Sequence, residues 1–196
     1  MIAGVILAGG QSSRMGGGDK ALVLLGGETL LARIVARLLP QVDCLAINAN
    51  GDGARFASFA LPVFADRLAV AKGPLGGLHA ALEWAQAMGA DVLITTTADA
   101  PFIPHDLARG LLNAGAPAIA ASGSQPHYAI GAWPVRLLAE VEATIVSENM
   151  SRMQDWAARC GAKEVAWETS PHDPFFNINT PDDLAEAARI CEVQMP

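Results

Sequence analysis

Charged and aromatic residues are scarce in this 196-residue chain, at 17% and 6%. The 13 Lys and Arg stand against 20 Asp and Glu. The resulting net charge of -7 argues against nucleic-acid binding, because that affinity depends on neutralising many phosphates. No apolar run approaches the roughly 20 residues that span a bilayer, and no basic leader precedes the apolar N-terminal stretch. We therefore expect a cytoplasmic protein that binds neither nucleic acid nor membrane.

Cysteine is also rare, and Cys44, Cys160 and Cys191 form neither a C-x-x-C pair nor a disulfide framework. We expect them to be buried, reduced thiols. The apolar fraction of 52% argues against disorder, and no repeat or linker divides the sequence. This predicts one domain over residues 1–196, in which a Gly/Ser/Pro-rich stretch at 122–126 opens a smaller C-terminal half.

The order of apolar runs and helical patterns predicts an α/β fold. Most strand candidates are unbroken apolar runs, which are typical of a largely parallel sheet covered on both faces. They cover residues 2–8, 44–49, 62–65, 92–97, 116–121, 128–133 and 164–167. Apolar periodicity predicts helices over residues 30–39, 75–88, 103–113, 135–142, 151–160 and 182–191.

A glycine-rich segment follows the first strand and predicts a phosphate site. Residues 9–20 contain five glycines, whose backbone N–H groups can line an anion-binding concavity. Arg14 and Lys20 (+2) with Asp19 (-1) give this segment a local charge of +1 in an acidic chain. The alternative is a flexible surface loop with two solvated basic residues.

Two familiar phosphate loops do not fit this segment. A Walker loop places Gly immediately before its Lys, whereas Asp19 precedes Lys20. A dinucleotide fold ends its second strand in an acid, whereas this strand ends in Asn48-Ala49-Asn50. The sequence also lacks a G-x-S-x-G elbow and an H-E-x-x-H helix, so the usual hydrolase motifs are missing.

Two aspartates follow predicted strands and are candidate ligands. Asp99 comes after the strand at 92–97, at the edge where open α/β sheets place their ligands, and one carboxylate suffices for Mg²⁺ bound with phosphate. Asp66 follows another short strand, and its carboxylate can accept hydrogen bonds from N–H or hydroxyl groups of a ligand. The alternative for Asp99 is a strand-ending turn or a helix cap.

The motif at residues 7–20, Leu-Ala-Gly-Gly-x-Ser-x-Arg-Met-Gly followed by Asp-Lys, resembles that of α/β nucleotidyltransferases. More closely, the chain is similar to the molybdenum cofactor guanylyltransferase family, which joins GMP to molybdopterin. Matching segments recur in the same order at residues 48–50, 66, 73–77, 99–101 and 177–181. Cytidylyltransferases usually read Ala-Ala-Gly where this chain has Ala8-Gly9-Gly10, which favours GTP.

This resemblance implies a Rossmann-like three-layer sandwich that uses GTP and Mg²⁺ and releases pyrophosphate. It also implies roles for residues along the motifs. The implied nucleotide contacts are Leu7, Ala8, Gly9, Gly10, Lys20 (at the phosphates), Asn48, Asp66 and Asp99, with Asp99 also binding Mg²⁺. From pattern alone, Asn48 is either a base or sugar ligand or a turn residue, and Asn50 beside Gly51 is better explained as a turn residue.

The acceptor side is predicted from alternating amides and one histidine. Asn177 and Asn179 flank Ile178, so on an extended segment both amides face the same way and suit the edge of a pterin. The alternative is a strand ending in an Asn-Thr-Pro cap, with Thr180 capping the last helix. His127 follows a loop of small residues that suits a substrate rim. Surface or structural roles are more typical of the other three histidines, and core packing of the four tryptophans.

The leading hypothesis is attack by the terminal phosphate of molybdopterin on the α-phosphorus of GTP, catalysed by Arg14, Lys20 and Asp99. Residues 1–115 would form the nucleotide-binding half and residues 116–196 the acceptor-binding half. The rivals are a cytidylyltransferase for the same cofactor, a sugar-phosphate nucleotidyltransferase and a nucleotide-sensing module without catalysis. We expect a monomer whose partners are GTP and molybdopterin or its molybdenum form, with transient contact to molybdoenzymes or other cofactor-biosynthesis proteins.

Overall fold

The structure, a computed structural model, describes residues 1–9, 19–68 and 73–194. Its strands are β1 (Ile2–Leu7), β2 (Leu24–Leu25), β3 (Glu28–Thr29), β4 (Cys44–Asn48), β5 (Val63–Phe64), β6 (Val92–Thr97), β7 (Ala118–Ser122), β8 (Gln125–Pro134) and β9 (Lys163–Trp167). Its helices are α1 (Leu30–Leu38), α2 (Pro74–Ala87), α3 (Leu107–Ala114), α4 (Leu138–Glu148), α5 (Met153–Arg159) and α6 (Pro181–Gln194). Short 3₁₀ turns cover Lys20–Leu22, Leu39–Gln41, Gly53–Phe59 and Val135–Leu137.

Seven strands form one sheet in the order β5-β4-β1-β6-β8-β7-β9. Strand β8 runs antiparallel to both of its neighbours, and all the other pairings in this sheet are parallel. The carboxyl ends of β1, β4, β5, β6, β7 and β9 therefore share one edge with the amino end of β8. This confirms the predicted α/β fold with a mostly parallel sheet.

Both faces of the sheet are covered, which makes three layers. Along β1, Ile6 packs with α1 and α3 on one face, whereas Ala3 and Val5 pack with α2, α4 and α5 on the other. Consecutive strand residues point to opposite faces, so a strand buried on both sides is apolar throughout. A smaller cluster packs α6 against the β2–β3 hairpin through Leu25 and Ala187. No helix of the described residues is long and apolar enough to cross a membrane.

Two elements begin or run differently from the sequence prediction. Helix α3 starts at Leu107 rather than at residue 103, because Pro104 disfavours a helical backbone at Ile103, the residue before it. Arg37 donates to the Ile103 carbonyl oxygen at 3.2 Å, and Gln41 donates to that of Pro104 at 2.9 Å. The helix predicted at 135–142 opens as a 3₁₀ turn and continues in α4 to residue 148. The β2–β3 hairpin was not predicted.

The scarce residue types are mostly placed as expected. All three cysteines are free, but only Cys191 is buried and the other two are partly exposed, so the prediction of buried thiols was wrong for Cys44 and Cys160. Partial burial raises the pKa of the Cys44 and Cys160 thiols above the ordinary value. Trp133 and Trp156 are fully buried core residues.

Candidate active site at the carboxyl edge of the sheet

Three residues predicted for separate roles meet beside the end of β6. The Lys20 ammonium lies 2.7 Å from Asp99 Oδ2 and 2.7 Å from Asn179 Oδ1. The side chains of Lys20 and Asp99 are only 15% and 24% exposed, so the ion pair is partly shielded from water. An ammonium has three N–H donors. Two of them are used here, and no described residue is hydrogen-bonded to the third, which can bind an anionic ligand.

The turn that carries Lys20 is fixed by its neighbour Asp19. Asp19 Oδ1 accepts a hydrogen bond from the backbone N–H of Ala21 at 3.1 Å and so caps the 3₁₀ turn. Its other oxygen receives a hydrogen bond from Arg55 Nε at 2.5 Å. Arg55 also donates to the carbonyl oxygen of Asn50 at 2.9 Å. Arg55 thereby ties the Lys20 turn to the loop after β4.

The segment 177–179 is held against Asp99 by its backbone. The Ile178 N–H donates to the Asp99 carbonyl oxygen at 3.0 Å. Ile178 is fully buried, whereas Asn177 and Asn179 are exposed, which agrees with the predicted alternation. At the start of α6, Asp183 Oδ2 accepts from the backbone N–H of Asn179, at 2.8 Å.

A capping box completes the start of α6. Asp183 Oδ2 also accepts from the N–H of Thr180 at 2.8 Å, and the Asp183 N–H donates to Thr180 Oγ1 at 3.1 Å. The predicted cap at Thr180 is confirmed. The backbone N–H of Asn179 and the Thr180 hydrogen bonds lower the pKa of the Asp183 carboxyl below its ordinary value.

The second carboxylate oxygen of Asp99 has the environment of a cation ligand. Asp99 Oδ1 is buried, and neither it nor the nearby Thr97 hydroxyl has a hydrogen-bond partner among the described residues. Buried polar atoms are rarely left unpaired, and carboxylate oxygen is a preferred ligand of Mg²⁺. The described residues contain no group of three or more acidic, His or Cys side chains that would hold a metal ion. A cation here would complete its shell with phosphate oxygens and water.

A second polar group lies across β1, at the ends of β4 and β5. Asp66 Oδ1 accepts from the Asn48 side-chain amide at 3.0 Å, and Asp66 Oδ2 accepts from the Asn50 amide at 3.0 Å. The Asp66 N–H donates back to Asn50 Oδ1 at 2.9 Å. Asn48 is 2% exposed, so it positions the carboxylate from within the core. Direct contact of Asn48 with a nucleotide stays a prediction.

The end of β1 lies between these two groups. The Ala8 N–H donates to the Asn48 carbonyl oxygen at 2.8 Å, and the Ala98 N–H donates to that of Leu7 at 3.1 Å. Gly9 follows as an exposed residue at the sheet edge. Gly10 and Arg14 lie outside the described residues, so their predicted roles rest on sequence.

His127 belongs to a third group on the C-terminal half of the same edge. Its Nε2 lies 2.5 Å from Ser122 Oγ, and the Ser122 hydroxyl donates to Asp173 Oδ1 at 2.5 Å. The imidazole also packs on Phe175, with ring centroids 5.1 Å apart. Burial lowers the pKa of His127 below its ordinary value, against the opposing charge of Asp173.

Several of these residues escaped the sequence analysis. The sequence favours a turn role for Asn50, but its side-chain amide also donates a hydrogen bond to Asp66 Oδ2. Asn48 and Asn50 alternate around Ala49 in the same way as Asn177 and Asn179 alternate around Ile178. This spacing could have predicted that Asn50 also belongs to the site. Arg55, Ser122 and Asp173 act through partners far away in sequence, and no local pattern marks them.

A mostly parallel sheet whose carboxyl edge carries a lysine–aspartate pair, in a chain with a glycine-rich sequence after its first strand, is typical of nucleotide-binding α/β proteins. Residues 4–163 match the MobA-like NTP transferase domain. The chain belongs to this family of nucleotidyltransferases, and curated relatives at 43–46% identity over nearly its full length are molybdenum cofactor guanylyltransferases.

Two such relatives match nearly the whole chain. The molybdenum cofactor guanylyltransferase of Cereibacter sphaeroides is 46% identical over 186 residues, 94% of each chain. That of Nitrobacter hamburgensis is 44% identical over 194 residues, 95% of this chain and 93% of the relative. These similarities confirm the family inferred from the motifs.

Solved structures share the fold at lower identity. Molybdopterin-guanine dinucleotide biosynthesis protein A from Archaeoglobus fulgidus has a TM-score of 0.73 at 23% identity, covering 98% of this chain and 100% of its own. A 4-diphosphocytidyl-2C-methyl-D-erythritolsynthase from Anaerococcus prevotii has a TM-score of 0.72 at 14% identity, covering 97% and 96%. At such identities the likeness shows the fold alone.

Proposed function

We propose that this chain transfers GMP from GTP to the terminal phosphate of molybdopterin and releases pyrophosphate. The observation that carries the proposal is the contact of Lys20 with Asp99 and Asn179. Lys20 ends the glycine-rich segment, Asp99 follows the central strand β6, and Asn179 lies in the predicted acceptor segment. The close relatives' shared name supports the choice of nucleotide and acceptor.

The reaction needs no protein nucleophile, because the acceptor phosphate is already ionised. Its oxygen attacks the α-phosphorus of GTP in line, and the bond to the β-phosphate oxygen breaks. The chain positions two anions and neutralises the charge that accumulates as they approach. Lys20 offers its remaining N–H to the phosphates, and Arg14 stabilises the departing pyrophosphate. Asn177 and Asn179 bind the acceptor, together with His127.

We propose Asp99 as the Mg²⁺ ligand, through the buried oxygen that has no other partner among the described residues. When bound, the ion neutralises phosphate oxygens and orients them. Lys20 holds the other Asp99 oxygen, which leaves Oδ1 available for the ion. Residues 7–9 end β1 between Asp99 and the group around Asp66, and in this proposal they contact the nucleotide there.

Asp66 provides the base preference in this proposal. Its carboxylate is held by the amides of Asn48 and Asn50 and retains lone pairs for two further donors. Guanine presents N1–H and N2–H side by side, whereas the pairing edge of cytosine presents a single amino group beside acceptors. A carboxylate in this position therefore favours GTP over CTP. We further propose that the enzyme works as a cytoplasmic monomer with transient contact to molybdoenzymes or other cofactor-biosynthesis proteins.

The test measures pyrophosphate release with GTP or CTP, each with and without molybdopterin. The proposal predicts turnover only with GTP and molybdopterin together. A preference for CTP would overturn the base assignment, and turnover with a sugar phosphate instead would overturn the acceptor. GTP binding without turnover on any acceptor would indicate a nucleotide-sensing module.

Lys20→Ala tests the proposed chemistry in the same assay. Removing one preorganised electrostatic contact costs on the order of 10²–10³ in turnover. Lys163→Ala is the matched control, because that lysine is exposed on β9 and donates to the Ala114 carbonyl oxygen, away from Asp99. Near-normal turnover of Lys20→Ala would remove Lys20 from the mechanism.

A further inference from the structure

The group formed by Ser122, His127 and Asp173 lies at the sheet edge that carries the proposed active site. Ser122 ends β7, and Ala120 pairs with His127 across the antiparallel β7–β8 ladder. Asp173 lies in the loop before α6, where its Oδ1 also accepts from the backbone N–H of Phe175 at 2.8 Å. One serine hydroxyl thus connects residues from two strands and a loop.

The hydrogen bonds of Ser122 fix the tautomer of His127. A hydroxyl has one hydrogen, and an ionised carboxylate can only accept. Because the Ser122 hydrogen goes to Asp173, Ser122 Oγ must accept a hydrogen from Nε2 of His127. The neutral ring then carries its proton on Nε2 and a lone pair on Nδ1. His127 is half-buried, and no described residue is hydrogen-bonded to its Nδ1.

The chain from Asp173 to the Lys20–Asp99 pair is short. Ile178, five residues after Asp173, is hydrogen-bonded through its N–H to the Asp99 carbonyl oxygen. Five residues span at most about 18 Å when fully extended, and the turn at Asp173–Phe175 shortens that distance. A ligand with its phosphate at Lys20 can therefore extend along this segment towards His127.

We propose that Nδ1 of His127 is the recognition point for a ring N–H of the acceptor, held as an acceptor of hydrogen bonds by Ser122 and Asp173. The chemical class that fits is a nitrogen heterocycle, such as a pterin, attached to a phosphate monoester. His127 contacts the substrate, and Ser122 and Asp173 are positioning residues. The inference rests on the proposed function and names the side chains that select its acceptor.

The charge state of the ring is consistent with this role. Burial favours the neutral ring and lowers the pKa of His127, while Asp173 is the charged group that opposes this shift. The two other groups that the described residues place against the ring, the Ser122 hydroxyl and Phe175, carry no charge. Protonation at low pH would turn Nδ1 into a donor and abolish its lone pair.

The tautomer can be tested without any activity. In the ¹⁵N-histidine-labelled protein at neutral pH, two-bond ¹H–¹⁵N correlations distinguish a ring protonated on Nε2 from one protonated on Nδ1. The His127→Asn spectrum assigns the signals. The proposal requires Nε2–H, and a ring protonated on Nδ1 or on both nitrogens would overturn it.

Two substitutions of His127 separate recognition from packing. Asparagine places an amide oxygen near the position of Nδ1, whereas glutamine reaches the position of Nε2. We expect His127→Asn to keep the KM for the acceptor within about threefold, and His127→Gln to raise it about tenfold or more, the effect of one lost hydrogen bond. The KM for GTP should stay near wild type in both, and the melting temperature should fall by a similar amount in both, because both lose the packing of the ring on Phe175. Equal effects, or the reverse order, would overturn the proposal.

Asp173→Asn provides a signature that a purely structural role would not produce. Its Oδ1 can still accept from Ser122 and from the Phe175 N–H, so the change mainly removes the charge. Without that charge the pKa of His127 falls further, and the acid limb of kcat/KM for the acceptor should move to lower pH. An unmoved limb would overturn the assignment. If the wild-type chain forms no product, the proposed function is refuted. The NMR experiment tests the tautomer of His127 independently of that outcome.

Discussion

Gly77 permits the close approach of α2 to the Asp66 group, and Gly77→Ala tests that approach. A Cβ on Gly77 would lie 2.8 Å from Asn48 Oδ1 and 3.5 Å from Leu7 Cδ2. The first distance is too short for a carbon–oxygen contact, so the Asn48 amide must move. Asn48 is buried and donates to Asp66 Oδ1 at 3.0 Å, so the movement displaces the carboxylate proposed to bind guanine.

Two opposing free energies determine the stability of Gly77→Ala. Alanine within a helix is favoured over glycine by about 1 kcal/mol, whereas overpacking costs about 1–3 kcal/mol. The net loss in free energy of unfolding is therefore about 0–2 kcal/mol. The displaced Asp66 carboxylate should lose at least one of its proposed hydrogen bonds from guanine. A hydrogen bond to a charged group contributes about 1.5–3 kcal/mol, so GTP binding should weaken about tenfold or more.

Calorimetric titration with GTP and urea unfolding measure the two effects separately. Asn48→Ala is the control background, because it removes the oxygen that a Cβ on Gly77 would meet. We expect Gly77→Ala to cause little further loss of GTP affinity in that background. Wild-type GTP affinity of the single variant, or fully additive losses of affinity in the double variant, would show that a Cβ at Gly77 does not act on GTP binding through Asn48.

Two further predictions concern the core and the start of α6. Thr95→Val should lower the free energy of unfolding by about 1–3 kcal/mol in urea, because Thr95 Oγ1 accepts from the buried Trp133 Nε1 at 2.9 Å. Thr96→Val should cost nothing, since that hydroxyl has no partner among the described residues; equal losses would contradict this. Asp183 has a lowered pKa, so its stabilisation exists above the ordinary value of 3.8 and is lost as pH falls through the folded value. The difference in melting temperature between wild type and Asp183→Asn should therefore disappear as the pH falls below the folded pKa of Asp183. A difference that does not change with pH would show that the capping carboxylate is not its cause.

Local sequence patterns predicted the central part of the fold. The strand at Val92–Thr97 was predicted with its observed bounds, because it is an unbroken run of apolar and β-branched residues, which is typical of a strand buried on both faces. The position of Asp99 at the ligand edge followed from that strand. The direction of β8 did not follow, because alternation and apolarity do not encode whether a strand runs parallel or antiparallel to its neighbours.

The parts of the site that escaped prediction depend on contacts distant in sequence. Arg55 reaches Asp19 across 36 positions, and Ser122 reaches Asp173 across 51. Such pairs are created by the packing of the sheet, and the type of each residue alone gives no sign of its partner. By contrast, the alternation around Ile178 was readable, because a buried side chain between two exposed amides is a local property.

Calorimetric titration of the protein with GTP and with CTP, in the presence of Mg²⁺, measures whether and how selectively the chain binds its proposed nucleotide. The triphosphate is proposed to lie between Lys20, Asp99 and the end of β1, with guanine at Asp66. This proposal predicts one GTP bound per chain and at least tenfold weaker binding of CTP. Absence of binding heat with GTP over a range of temperatures, or equal affinity for the two nucleotides, would contradict it.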